Sequence, residues 1–304
     1  MVEPRLSVII VTYNSRQEID ACLSSLLSDP GARDAEIIVV DNASADGTVA
    51  HIAARWPQVR LLAQSTNPGF AAGNNIGIDA SRGGLLLLLN PDTVTQSGAI
   101  AALSSALEQR REVGIAGPML LNVDGSLQPS CRDFPSLLGD FIGMTELYRL
   151  GFIRRLLGAR MVSLSDHRRA RCVDWLSGAC LLVRRAALDA AGKLDPGFFM
   201  YSEEMEWQYR MAQRGWAAWF EPAARVVHIG GASTAAVSGK RVVWQYQSIW
   251  RFYRLYRNRA QRLALHGVIW AATWPKVVLL TLLGRGNAHR RELLGAFWQV
   301  LWQS

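Results

Sequence analysis

Three glutamates, Glu203, Glu204 and Glu206, stand within four residues, just after the aromatic stretch 198–201. Carboxylates this close to one another and to large apolar side chains raise each other's pKa, and a raised carboxylate makes a useful general base. The same acids also suit the first turn of a helix, where the dipole favours negative charge. Asp92 follows five consecutive leucines, Leu85–Leu89, through Asn90 and Pro91. A run so apolar reads as a strand buried on both faces. Asn-Pro ends it and leaves Asp92 at the carboxyl edge of a sheet, where open α/β folds bind ligands. A carboxylate there suits a divalent cation holding a diphosphate. His228 sits at the end of the strand-like stretch 224–227, before two glycines, and an imidazole so placed can ligate a metal. Together, Asp92 and His228 could flank one cation with a base nearby.

Two further segments suit a nucleotide. Asp41 ends an apolar run (residues 37–40), and Thr12, Tyr13 and Asn14 end another (residues 6–11). Neighbouring strand ends can set a carboxylate beside a backbone loop, and that carboxylate can accept the imide proton of uracil or thymine. Residues 67–75, with Asn67, Gly69 and Asn75, are rich in Gly and Asn and open a helix, which suits close approach to phosphate or ribose. No GxGxxG and no Walker lysine is present, which disfavours a dehydrogenase and a P-loop ATPase.

The elements that must position these residues alternate. Residues 6–11, 37–40, 59–62 and 85–89 read as strands. Residues 16–27, 48–55 and 71–81 read as helices. Such alternation implies parallel strands with right-handed crossovers. Residues 114–121 read as a strand leading into a hairpin turn at 122–125, and 172–185 return to strand character. Residues 186–191 and 204–214 read as helices, the latter closed by Gly215. Residues 136–170 lack a clear period and are expected to form a mobile insert. With 304 residues, half hydrophobic and 19% charged, the chain is expected to fold into one large domain or two ordinary ones. Cys22, Cys131, Cys172 and Cys180 make no CxxC pair and read as free thiols of reducing cytosol. Residues 6–11 are too short for a signal-peptide core, so no leader is expected.

Taken in order, SVIIVTYNS, EIIVVDNASADGT, NPGFAAGNNIGI, LLLLNPD, DWLSGACLLVRR, LDPGFFMYSEEMEWQYR and VVHIGGAS resemble the family 2 inverting glycosyltransferases over residues 6–234. The nearest resemblance is to their bacterial rhamnosyltransferase-like branch. It implies an α/β GT-A fold, a mostly parallel central sheet flanked by helices. It also implies a nucleotide-diphosphate sugar donor, with dTDP-L-rhamnose as the best guess, and Mg2+ or Mn2+. Carried onto this sequence, Asp41 reads the pyrimidine and Asn90-Pro91-Asp92 replaces the DxD motif, with Asp92 and His228 on the metal. Glu204 takes the place of the catalytic base. Trp175, Gly178 and Ala179, together with Tyr201, fall on the acceptor side. Two departures stand out: Asn90 replaces an acid, and Glu203-Glu204-Met205-Glu206 replaces Glu-Asp-x-Asp, so the base could shift to Glu203 or Glu206. Two alternatives stay open. A sugar nucleotidyltransferase usually carries an N-terminal Gly-rich loop with Arg and Lys, which residues 11–16 lack. The altered acid cluster leaves room for a non-catalytic nucleotide-sugar-binding or scaffold protein.

The tail is distinct. Formal charge over the chain is +8, yet residues 240–304 hold eleven Lys or Arg against Glu292 alone, and six of the eleven tryptophans. Residues 243–256 have helical aromatic spacing. Residues 263–283 are mostly apolar but interrupted by His266, Pro275 and Lys276, which reads as an interfacial rather than a spanning helix. Tryptophan favours the headgroup zone, and the cations favour anionic lipid or a lipid diphosphate. The organisation expected is a catalytic domain over 1–239 and a basic, amphipathic helical extension over 240–304. The protein would lie peripherally at the cytoplasmic face of the cell membrane and act on a polyprenyl-diphosphate-linked glycan acceptor in cell-envelope polysaccharide synthesis. No nucleic-acid recognition motif accompanies the charge, and nucleic acid is not an expected partner.

Overall fold

The computed structural model describes residues 4–152, 155, 161, 167–198, 201–230, 238–283 and 288–303. The chain forms two compact units. One takes residues 1–132, 166–199 and 203–233; the other takes 133–165, 200–202 and 234–304.

In the first unit the strands are β1 Leu6–Thr12, β2 Glu36–Asp41, β3 Arg60–Ala63, β4 Leu85–Leu89, β5 Thr93–Thr95, β6 Val113–Leu121, β7 Leu127–Gln128, β8 Cys131–Arg132, β9 Arg171–Val173, β10 Trp175–Leu176, β11 Cys180–Arg184 and β12 Ala217–His228. Its helices are α1 Ile19–Ser28, α2 Thr48–Arg55, α3 Phe70–Ala80, α4 Ala99–Gln109, α6 Arg185–Ala191 and α7 Glu203–Gln213. α5, Leu137–Thr145, belongs to the second unit. The main sheet runs β3-β2-β1-β4-β11-β6-β12-β5. β1 pairs in parallel with β2 and β4, so Thr12 lies opposite Asp41 and Ile10 opposite Leu89. The carboxyl ends of all three strands therefore share one edge.

The leucine run behaves as its composition demands. Leu86, Leu87, Leu88 and Leu89 are all buried, and Leu87 and Leu89 share a core with Val8, Ile10, Val39, Leu103 and Leu182. α3 packs on β1 closely enough to require glycine. A Cβ at Gly73 would sit 2.8 Å from Val11 Cγ1, and one at Gly77 would overlap Ile9 Cγ2. β11 enters antiparallel beside β4, pairing Cys180 with Leu89 and bringing residues 178–179 to the edge that holds Asn90. β5 pairs antiparallel with β12 and sets Thr93 opposite His228.

Two expectations change. The stretch 172–185 is three strands rather than one, because Asp174 separates β9 from β10 and Ser177-Gly178-Ala179 separate β10 from β11. Part of 136–170 is ordered helix. Ser136 Oγ accepts the Gly139 N–H at 3.2 Å and caps α5, whose period is blurred by Gly139 and Gly143. The remainder expected to be a mobile insert includes residues 153–154, 156–160 and 162–166, which lie outside the described residues.

The second unit is built on α5, α8 Ser238–Tyr256, α9 Arg259–Leu282 and α10 Ala288–Gln303. Asn258 and Gln261 form a reciprocal capping box that starts α9. Pro275 interrupts the apolar run in sequence without ending the helix, and α9 runs 24 residues through it. Proline removes one N–H from the ladder, and the flanking packing outweighs that loss: Ala272, Thr273 and Val277 are buried and Lys276 Nζ donates to the Met144 carbonyl at 2.6 Å. By length and composition α9 is long and apolar enough to cross a membrane. On the other side of the unit Tyr253 donates to Asp140 at 2.7 Å. Burial pushes the Asp140 carboxyl up to about 6, even though the Tyr253 hydroxyl and the Arg257 charge pull it down.

Candidate active site

The turn after β4 is tied from several sides. The Asn90 N–H donates to the Ala179 carbonyl at 2.9 Å, and the Asn90 carbonyl accepts from Thr93 Oγ1 at 2.6 Å. Cys22 Sγ approaches the same carbonyl at 3.5 Å. Asp92 then faces the end of β12. Its Oδ2 accepts the Gly230 N–H at 3.1 Å, and its Oδ1 lies 3.4 Å from His228 Nε2. Burial works to raise the Asp92 carboxyl, but the His228 ring, when protonated, and the Gly230 N–H hold it below the usual carboxylate range. Asn90 Nδ2 is 3.5 Å from His228 Nε2, and Asn90 Oδ1 is buried with no partner among the described residues. Two residues 136 positions apart thus meet because β5 and β12 are neighbours.

The donors in this corner are one carboxylate, one imidazole and one amide oxygen. No group of three His, Cys, Asp or Glu placed to hold a metal ion occurs among the described residues. That set fits a hard divalent cation that keeps waters and takes phosphate oxygens, rather than a metal held by protein alone. The orphaned Asn90 Oδ1 is a buried acceptor, and a cation or a bound hydroxyl would satisfy it.

α7 carries the three glutamates, and the structure separates them. Glu206 Oε1 and Oε2 accept from Arg210 Nε at 2.7 Å and Nη2 at 3.0 Å, and Arg210 also reaches the Lys193 carbonyl. This fork corrects the expectation that Glu206 is a candidate base, because both of its oxygens are committed to a guanidinium. Arg210→Met strands the Glu206 charge in the interior and is expected to lower unfolding free energy by about 3–5 kcal/mol. Chemical denaturation measures it, and a loss under about 1 kcal/mol would mean that the pair is solvated. Glu203 is buried, and Glu204 keeps part of its surface in solvent. Burial pushes both carboxyls up, and the Glu204 charge pushes Glu203 further. Glu204 is moderated by the Gly178 N–H and by the Arg132 charge. Glu203 Oε2 and Glu204 Oε2 are both buried without a partner among the described residues, and of these two side chains Glu204 is the one that is partly exposed.

A short relay joins the two corners. Gly178 lies against Glu204, where an added Cβ would meet Glu204 Cγ at 3.4 Å, and its neighbour Ala179 holds Asn90. Gln208 accepts the Leu176 N–H at 2.9 Å and donates to the Leu176 carbonyl at 2.8 Å, locking α7 to β10. Trp175 pairs with Arg132 across β10 and β8. Gly178 thus lies directly against Glu204, and Ala179 follows it in the chain. Tyr201 belongs to the second unit, where Arg241 lies over its ring at 5.8 Å.

The loops assigned to the nucleotide are only partly free. Asp41 is fully buried. Its carboxylate accepts from Thr12 Oγ1 at 2.8 Å, Ser44 N at 2.9 Å and Ser44 Oγ at 2.6 Å. In this form it shapes the loop rather than presenting an oxygen outward. Asn14, at φ 51°, accepts the Ala45 N–H on its side chain, and Tyr13 is exposed beside it. Asn67 Oδ1 accepts the Gly69 N–H at 2.9 Å, and Gly69 at φ 90° opens α3. Asn75 stands apart from the site as a correction. Both ends of its amide are taken by the Leu194 backbone, at 2.8 and 3.1 Å. Sequence reasoning missed Ser44, Arg132 and Gln128. Only the hairpin turn at 122–125 hinted at Gln128, whose Oε1 lies 2.7 Å from His228 Nδ1.

Comparison with known proteins gives this fold a family. The model of the glycosyltransferase-like family 2 matches residues 4–247. An N-acetylglucosaminyl-diphospho-decaprenol L-rhamnosyltransferase of Mycobacterium tuberculosis is 32% identical over 260 residues, covering 81% of this chain and 83% of its own. The rhamnosyltransferase WbbL of Escherichia coli is 24% identical over 263 residues, with 83% and 95% covered. Among solved structures, a mannosyltransferase of Pyrobaculum calidifontis in complex with GDP-Man and Mn2+ aligns over 100% of this chain and 88% of its own. Its TM-score is 0.60 at 18% identity.

Proposed function

Because the chain belongs to glycosyltransferase family 2 and takes the GT-A fold, we propose that it is an inverting, cation-dependent transferase. It moves L-rhamnose from dTDP-rhamnose to a hydroxyl of a polyprenyl-diphosphate-linked glycan, as the names of its rhamnosyltransferase relatives support. The observation that carries this reading is the Gly178–Ala179 link between the Glu204 corner and the Asn90–Asp92–His228 corner.

Glu204 takes the proton of the acceptor hydroxyl, and its raised carboxyl suits that task near neutral pH. The acceptor oxygen attacks the anomeric carbon from the face opposite the diphosphate. The bond from carbon to diphosphate oxygen breaks and the configuration inverts. A divalent cation, Mg2+ or Mn2+, held by Asp92, His228 and Asn90 would supply charge neutralisation for the departing diphosphate. Gly178, Ala179 and Trp175 line the acceptor side. Thr12, Tyr13, Asn14, Asp41, Asn67 and Gly69 frame the nucleotide. The test is calorimetric titration of dTDP, UDP, GDP and ATP with Mn2+ and with EDTA. Mn2+-dependent binding that prefers dTDP is expected; binding of ATP alone would overturn the reading.

The second unit supports a membrane-side location at the cytoplasmic face. Trp270, Trp274, Trp298 and Trp302 are exposed, with Leu263, Leu279 and Leu282 beside them in α9. Trp270 and Trp274 stack at 6.2 Å, and Trp298 meets Trp274 edge-on at 5.9 Å. Aromatic rings over a basic segment match an anionic lipid surface. The full chain is expected to float with vesicles containing phosphatidylglycerol. Trp270→Glu/Trp274→Glu is expected to reduce the bound fraction at least about tenfold, and equal flotation would remove the membrane assignment.

A further inference from the structure

We propose that Gln128 is a positioning residue that fixes the His228 tautomer, so that Nε2 presents a lone pair to the corner formed by Asp92 and Asn90. The inference rests on the reading of that corner as the cation and diphosphate site. It comes from a hydrogen-bond chain whose direction is set by atoms that can act in only one way. Asn122 Nδ2 faces Ser126 Oγ at 2.9 Å and the Leu127 carbonyl at 3.5 Å, so Oδ1 is its other end. That oxygen accepts from Gln128 Nε2 at 3.1 Å, and the same Nε2 donates to the His228 carbonyl at 3.3 Å. A carbonyl oxygen only accepts, so the Gln128 amide cannot be turned round without setting two acceptors against each other. Gln128 Oε1 is therefore the atom 2.7 Å from His228 Nδ1, and Nδ1 must carry a proton to meet it.

In the uncharged ring the other nitrogen then has no proton. Nε2 is the atom that lies 3.4 Å from Asp92 Oδ1 and 3.5 Å from Asn90 Nδ2. The arrangement is the one in which an outer residue selects which imidazole nitrogen is free to ligate. The fold builds it deliberately: β7 pairs with β6, setting Gln128 opposite Leu120, and Leu120 also pairs with Val226 of β12, two residues before His228. Without Gln128 the imidazole is free to take the Nε2–H form that histidine favours in water. That form turns a ligand into a donor and leaves the corner one ligand short.

The test uses the full chain labelled with 15N-histidine, with His228→Asn identifying which of the five ring systems is His228. The expected spectrum has His228 protonated at Nδ1 and pyridine-like at Nε2. Gln128→Leu is expected to shift the proton to Nε2 and to weaken Mn2+ binding in the presence of dTDP about 10- to 100-fold, measured by electron paramagnetic resonance. Gln128→Glu still accepts the Nδ1–H and is expected to keep the wild-type tautomer. A wild-type protein with the proton on Nε2 overturns the proposal, and that reading needs no variant to fold. So does a Gln128→Leu protein with wild-type tautomer and Mn2+ affinity. An Nδ1–H tautomer in a wild-type chain that binds no Mn2+ with dTDP would support the role of Gln128 and overturn the cation site instead.

Discussion

Glu204→Gln is expected to lower kcat by about 10²- to 10⁴-fold, the range lost with a general base, and to leave nucleoside diphosphate affinity unchanged. The amide keeps the shape of the carboxylate, can still accept the Gly178 N–H, and cannot take a proton from the acceptor. Because Glu206 is forked to Arg210 and Glu203 is buried, neither is expected to substitute. The wild-type pH profile carries the same signature. A base acts only when ionised, and burial raises the Glu204 carboxyl. Turnover should therefore fall on the acid side with a midpoint above the ordinary glutamate range. Near-normal turnover in Glu204→Gln, or an acid limb at the ordinary glutamate value, would move the base elsewhere.

Asp92→Ala is expected to abolish the Mn2+-dependent part of dTDP binding and to lower kcat/KM by about 10²- to 10³-fold, the scale seen when one stabiliser of developing charge is removed. The substitution also frees the Gly230 N–H, so loop and charge effects need separating. Asp92→Asn does so: its amide oxygen can still accept from Gly230, while the charge facing His228 is gone. Binding lost in both variants assigns the effect to charge. Binding lost only in the alanine variant would assign Asp92 to holding the loop. Calorimetry with Mn2+ and with EDTA distinguishes these outcomes.

Much of the sheet was legible before any coordinates. Leu85–Leu89, with nothing polar among them, fit only a strand covered on both faces, and they occupy the sheet beside β1. Strand–helix alternation fixed the parallel order of the first strands, and Asn-Pro marked the edge where Asp92 emerges. Less was legible where the period was broken. Gly139 and Gly143 hid α5.

Residue type and order alone pointed to the family and the fold class, and named Asp92, His228, Glu203, Glu204 and Glu206 as candidates. These follow from local composition and from motifs in sequence, which need no knowledge of what lies across the sheet. Tertiary structure alone committed Glu206 to the Arg210 fork, buried Glu203 and left Glu204 partly exposed, because these depend on what packs against α7. It alone turned Asp41 inward to Ser44, spent Asn75 on Leu194, and set Gln128 against His228 across a hundred residues of chain. Hydrogen bonds between distant segments have no sequence period. Their direction appears only when the strands that carry them become neighbours.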